Sequence, residues 1–153
     1  MFGKNFILLT FILMIFYGCG YSPTFKDVKN KNLKIEITEM NGDNLINSYI
    51  STKLKTYTKN KSNLAYKIRV FNNYEKKDLS KDSTGKITNY ELKFKVEFNV
   101  TSTDSNKKIT IEDSFLLKNT DDAYKDRQNE NSIKKDFSSL AVEKLILELL
   151  LFQ

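Results

Sequence analysis

The sequence predicts an α+β fold: a two-layer sandwich in which a four-stranded, mostly antiparallel sheet carries two helices on one face. The expected order is strand-helix-strand-strand-strand-helix. Three observations predict it. Tyr90, Leu92, Phe94, Val96, Phe98 and Val100 alternate strictly with Glu91, Lys93, Lys95, Glu97 and Asn99, which describes a long strand with one dry and one wet face. Leu45, Ile46, Tyr49, Ile50, Leu54 and Tyr57 recur at three- and four-residue spacing, as do Ile133, Phe137, Leu140, Ala141 and Leu145. Helices with one apolar stripe and strands with one apolar face must cover each other.

The elements follow in order. Leu33, Ile35 and Ile37 alternate with Lys34 and Glu36, a short half-buried strand. Asn41-Gly42-Asp43 is a turn, with Asp43 or Asn44 able to cap the helix of about four turns that follows. Lys59–Asn63 ends that helix, and Leu64, Tyr66, Ile68 and Val70 make a second alternating strand with Lys67 and Arg69 outward. The segment 72–86, rich in charge, reads as a loop long enough to suspect a function. After the long strand, Ser102–Lys107 makes a hairpin connection, and Ile109, Ile111, Phe115 and Leu117 supply the last strand. Asp113 breaks its apolar parity, so a bulge or an exposed position is expected there. The final helix is expected from Asn131 or Ser132. Its end, Leu145–Phe152, is apolar nearly all round, which fits a buried helix or one that faces a partner. The polar face of the sheet stays uncovered and carries Lys67, Arg69, Lys93 and Lys95.

The N-terminal segment is of another kind. Lys4 is the only charged side chain before Cys19, and Phe6–Phe16 is almost wholly apolar. That run matches a signal-peptide core, roughly 7–15 residues, and falls short of the ~18–20 that span a bilayer. Gly18, Gly20 and Pro23 break it; the alternative is a short anchor helix that stays attached. A leader ending in Gly18-Cys19 resembles a bacterial lipoprotein signal, which implies that Cys19 is acylated and becomes the first residue of the mature chain. A lone cysteine makes no internal disulfide. Acyl chains at about 0.8 kcal/mol per buried methylene would hold the protein on a membrane. The expected organisation is a signal peptide over 1–18, a lipidated N-terminus and tether over 19–32, and one domain over 33–153.

Composition narrows the function. The whole chain has a formal charge of +6, of which Lys4 leaves with the leader. Such a charge invites a nucleic-acid partner, but export argues against one and points to lipid phosphates and lipopolysaccharide. Interspersed lysines that merely solvate a surface explain the charge equally well. The chain has no histidine, which removes the commonest general base and metal ligand. It contains no Gly-rich phosphate loop, no Gly-x-Ser-x-Gly and no zinc spacing. Acidic pairs such as Asp121-Asp122 lie in polar segments, and a Ser–Lys arrangement is the one catalytic constellation left open.

The layout as a whole, with Cys19-Gly20-Tyr21 at the leader's end, resembles the LptE family of lipopolysaccharide-assembly lipoproteins. The telling local match is "TGKITNYELKFKVEFNVTSTDSNKKITIEDSF", Thr84–Phe115, followed by Tyr124 and a terminal helix over Ser132–Leu151. The resemblance implies an enzymatically inactive outer-membrane lipoprotein on the periplasmic side. It implies no cofactor beyond the covalent lipid on Cys19. Its partners would be an LptD-like outer-membrane β-barrel, which it plugs and helps assemble, and lipopolysaccharide. On that reading Lys93 and Lys95, then Lys76, Lys77, Lys81 and Lys86, join Lys67 and Arg69 as contacts for phosphate or barrel through charge-assisted hydrogen bonds. Two readings compete: another small envelope lipoprotein, such as a secretion pilotin or a lipid-transport accessory, and a lipid-anchored enzyme.

Overall fold

The computed structural model describes residues 33–58, 64–103 and 105–151; the leader, Cys19, the tether and the Lys59–Asn63 segment lie outside them. Six elements follow one another: β1 (Leu33–Asn41), α1 (Asn44–Lys55), β2 (Leu64–Lys81), β3 (Ile87–Thr101), β4 (Asn106–Lys118) and α2 (Ala123–Leu151). The strands form one sheet in the order β1-β2-β3-β4, with β1 parallel to β2 and the other pairs antiparallel. Both helices cover the same face and pack on each other. This is the expected α+β sandwich in the expected order.

The dry face matches the alternation. Ile68, Val70, Leu92, Phe94, Val96, Phe98 and Val100 are all buried, and they meet Ile46, Ile50 and Leu54 of α1 and Phe137, Ala141, Leu145 and Leu149 of α2. Phe94 is the hub. Its ring stacks on Phe137 at 4.8 Å between centroids, meets Phe115 edge-on at 5.6 Å and tilts against Tyr74 at 5.1 Å. Such pairs add to the simple gain from burial.

Asp43 caps α1, its carboxylate accepting from the N–H groups of Leu45 and Ile46. Gly42 precedes it with φ of 112°, and a β-carbon there would lie 2.0 Å from the Asn72 carbonyl oxygen. Only glycine fits that turn.

Four expectations are corrected. The segment 72–86 is not a loop. β2 runs through to Lys81 and pairs residue by residue with β3, leaving a tight turn in which Asp82 accepts from the N–H groups of Thr84 and Lys86. This hairpin arm reaches past β1, which ends opposite Phe71, so much of it is wetted on both faces and shows no apolar alternation. α2 starts at Ala123, about two turns before the expected Asn131 or Ser132, where the Asp122 carboxylate accepts from the N–H groups of Tyr124 and Lys125. α1 stops at Lys55 and is nearer three turns than four. β1 continues to Asn41 across a register shift between Ile37 and Glu39. Asp113 is exposed, one of the two outcomes expected, and the β3–β4 ladder passes it with no bulge.

The apolar end of α2 divides. Leu145, Ile146 and Leu149 are in the core, whereas Leu147 and Leu151 face solvent.

Candidate interaction face

The uncovered face of the sheet is built by the residues that alternate with the core. Arg69 stands opposite Asn99, Asn73 opposite Lys95, and Glu75 opposite Lys93. Across the next ladder Lys95 meets Glu112 and Lys108 flanks Glu97. The Lys95 ammonium lies 2.7 Å from Glu112 and 3.6 Å from Glu97; Lys108 lies 2.8 Å from Glu97; Lys93 lies 3.3 Å from Glu91. Lys108, with Lys95 behind it, holds the Glu97 carboxyl below its ordinary value, and Glu112 holds the Lys95 ammonium above its own. These are wet pairs, able to exchange partners at little cost. An open groove of about 470 Å³ runs across this face between Asn73, Glu75, Lys93, Lys95 and Glu112.

The eight basic residues singled out from the sequence do not form one cluster. Lys67, Arg69, Lys93 and Lys95 all lie on the uncovered face, as their alternation requires. Lys67 and Arg69 are exposed, and among the described residues no acidic side chain lies within 4.0 Å of either; Glu36 stands opposite Lys67 in the β1–β2 ladder. Lys77 shares the face and pairs with Glu75 at 2.8 Å. Lys81 sits at the far end of the hairpin, 3.8 Å from Asp78, and Lys86 lies in the turn, 2.7 Å from Asp121. Lys76 is on the opposite side of β2, in register with buried Leu92. Its ammonium rests over the Tyr90 ring at 4.2 Å and pairs with Glu130 of α2 at 3.0 Å. That position makes Lys76 a strap between hairpin and helix.

A polar cluster that sequence reasoning missed lies beneath α2. Lys134 is 7% exposed. Its ammonium is 2.9 Å from Asp43, 3.5 Å from Glu130 and 3.9 Å from the centre of the Tyr74 ring. Buried Asn72 completes the cluster, accepting from the Asp43 N–H and donating to Asn47 and to the Asn41 carbonyl. Burial opposes ionisation of Asp43, but the bonds from Lys134, Ile46 and Leu45 outweigh it and hold its carboxyl below the usual range. Glu130 is likewise lowered, burial being outweighed by its polar neighbours, among them Lys76 and Lys134. The Tyr74 hydroxyl is the one buried side-chain polar atom without a hydrogen-bond partner among the described residues, and burial beside Glu130 pushes it well above its ordinary value. The signal was a lysine and a serine at core spacing: Lys134, Phe137, Ser138, Ala141. Ser138 donates to the Lys134 backbone carbonyl within its own helix, while the Lys134 ammonium is turned to Asp43 and Glu130.

No family model and no curated protein sequence matches the chain. Solved structures do. Rare lipoprotein B from Shewanella oneidensis is 20% identical, with a TM-score of 0.52 over 78% of this chain and 93% of that one. Lipoprotein B from Nitrosomonas europaea is 20% identical, with a TM-score of 0.51 over 84% of this chain and 88% of that one. A minor lipoprotein from Acinetobacter baumannii is 15% identical, with a TM-score of 0.50 over 77% and 94%. At these identities the likeness establishes a shared fold: the two-layer sandwich with one uncovered sheet face is a fold that bacterial lipoproteins use.

Proposed function

We propose that the chain is a non-enzymatic envelope lipoprotein, held by acylated Cys19 on the periplasmic side of the outer membrane. There it occupies and helps assemble an LptD-like β-barrel and takes part in inserting lipopolysaccharide into the outer leaflet. The observation that carries the reading is the uncovered sheet face: a broad surface of interspersed charges, interrupted by Phe71 and exposed Leu116, on a fold shared with solved lipoproteins. Such a face suits a hydrated barrel lumen, where an apolar face would not be wetted. Lys67 and Arg69 would meet phosphates directly, and Lys93 and Lys95 could exchange a carboxylate for one.

The test is a mild-detergent pull-down of the tagged full chain, with mass spectrometry of the partners and of the Cys19 peptide. A large β-barrel partner together with an acylated Cys19, both lost in Cys19→Ser, is the expected result. An acylated Cys19 with no barrel would move the chain to the secretion or lipid-transport lipoproteins.

A further inference from the structure

The sheet ends on β4, whose outer edge carries no strand among the described residues. β4 is 13 residues long, pairs with β3 without a bulge and contains no proline. A long, regular edge of this kind is a template for another strand, and proteins commonly blunt it with lysines that repel one. Here the charges are ordered otherwise. Lys107-Lys108-Ile109-Thr110-Ile111-Glu112-Asp113 is symmetric about Thr110 in its apolar residues and opposite in sign in its charges. A second β4 laid antiparallel about a two-fold axis at Thr110 sets Lys108 opposite Glu112, Ile109 opposite Ile111 and Lys107 opposite Asp113. The faces agree as well. Lys108, Thr110 and Glu112 lie on the uncovered side, in register with Asn99, Glu97 and Lys95; Ile109 and Ile111 lie on the helix-covered side, in register with Phe98 and Val96. An axis at Ile109 or Ile111 loses both charge pairs, and one at Lys108 or Glu112 sets a charge opposite itself.

α2 adds a second, independent feature on the same side. Its Phe137 ring meets Phe115 of β4 edge-on at 6.4 Å, and its Glu148 reaches Lys107 at 2.7 Å, whereas Glu143 points to α1 and pairs with Lys53 at 3.1 Å. The flank turned toward β4 is therefore the stripe Ile133, Phe137, Leu140, Lys144, Leu147 and Leu151. Its steps of four and three residues alternate, as in the seam of a coiled coil. Phe137 is buried, but Ile133 and Leu140 are half-exposed, Leu147 is 36% exposed and Leu151 79%. Thr110 lies between Lys107 and Phe115, so the same two-fold axis passes the middle of this stripe and brings two copies of it together.

We propose that two copies of this chain associate through the β4 edge and this flank of α2. Antiparallel pairing about Thr110 joins the two four-stranded sheets into one, and each apolar stripe covers the other. The association uses the edge of the sheet and needs no acyl chain, so it stands or fails apart from the proposed function. A barrel that takes up one copy would displace the other, which makes the dimer the form of the chain on its own.

Cysteine pairs read the register directly. Residues opposed across an antiparallel pair hold their β-carbons about 4.5–5.5 Å apart, within reach of a disulfide after a small adjustment. Lys108 lies about 13 Å from its own copy in this register. Lys108→Cys, Thr110→Cys and Glu112→Cys all change exposed side chains. They are made in the full chain, purified in mild detergent and oxidised gently, with the parent chain giving the background from Cys19. The expected result is a linked dimer from Thr110→Cys alone, and from a mixture of Lys108→Cys with Glu112→Cys. Neither of those two should link above background by itself. Adding Leu147→Glu and Leu151→Glu to Thr110→Cys should lower the yield severalfold, with circular dichroism showing the fold intact. Equal linkage from all three single variants, or none from Thr110→Cys and the mixture, would overturn the proposal. An unchanged yield in the leucine variant would remove α2 from the interface and contradict it too. In cells, linkage of Thr110→Cys to another protein in place of its own copy would assign the edge to that partner and overturn the dimer.

Discussion

Phe94→Asp should leave the chain without a cooperative fold at neutral pH. The ring is 2% exposed and touches Tyr74, Phe115 and Phe137, so truncation alone should cost about 3–5 kcal/mol. The aspartate would add an unpaired charge in a dry layer between sheet and α2. Together these approach or exceed a typical domain stability of roughly 5–15 kcal/mol. Lys93→Asp is the matching control: one residue away, on the wet face, it should melt close to the parent protein. Thermal melts by circular dichroism decide it. An unchanged melting temperature for Phe94→Asp would mean that the two faces of the sheet are reversed.

Lys134→Ala should be the next most damaging change, costing about 3 kcal/mol and lowering the melting temperature by on the order of 10 °C. It strips the partner from Asp43 and Glu130, leaving two carboxylates facing each other beneath α2 and the α1 cap without its counter-ion. The same cluster sets a pH dependence. Asp43 and Glu130 both titrate below their unfolded values, so their contribution is present above the ordinary carboxylate range, about pH 4, and fades as pH falls through the folded values. The parent protein should therefore lose stability on acidification. Lys134→Ala, in which the carboxylates repel, should lose less or gain over the same interval. Parallel acid titrations of the two proteins check the sign; identical slopes would show that Lys134 carries none of the effect.

How much was legible in the sequence depends on how many sides of an element are dry. β3 was read almost residue for residue, because one face is buried along most of its length and the other is wet. The outer half of β2 and the first turns of α2 were read as irregular because they are polar on nearly every side. Only backbone pairing and the Asp122 cap hold them, and a carboxylate before Ala123-Tyr124 was the one local hint. Of the expected stripe of α2, Phe137, Ala141 and Leu145 are buried, but Ile133 and Leu140 are half-exposed, and Lys134 and Ser138 are buried instead. No local pattern predicts a buried lysine whose partner, Asp43, lies 91 residues away. On the uncovered face, the alternation correctly placed Lys67, Arg69, Lys93 and Lys95. It said nothing of Lys76, because the strand carrying it had not been recognised.

The central claim is that the uncovered sheet face meets the wall of a barrel. A photo-crosslinking residue placed in turn at Lys67, Lys95 and Glu112 of the full chain, in living cells, tests it most directly. An adduct with a large outer-membrane β-barrel protein from these positions is the predicted result. The absence of any barrel adduct from all three positions, with the chain intact and anchored, would contradict it.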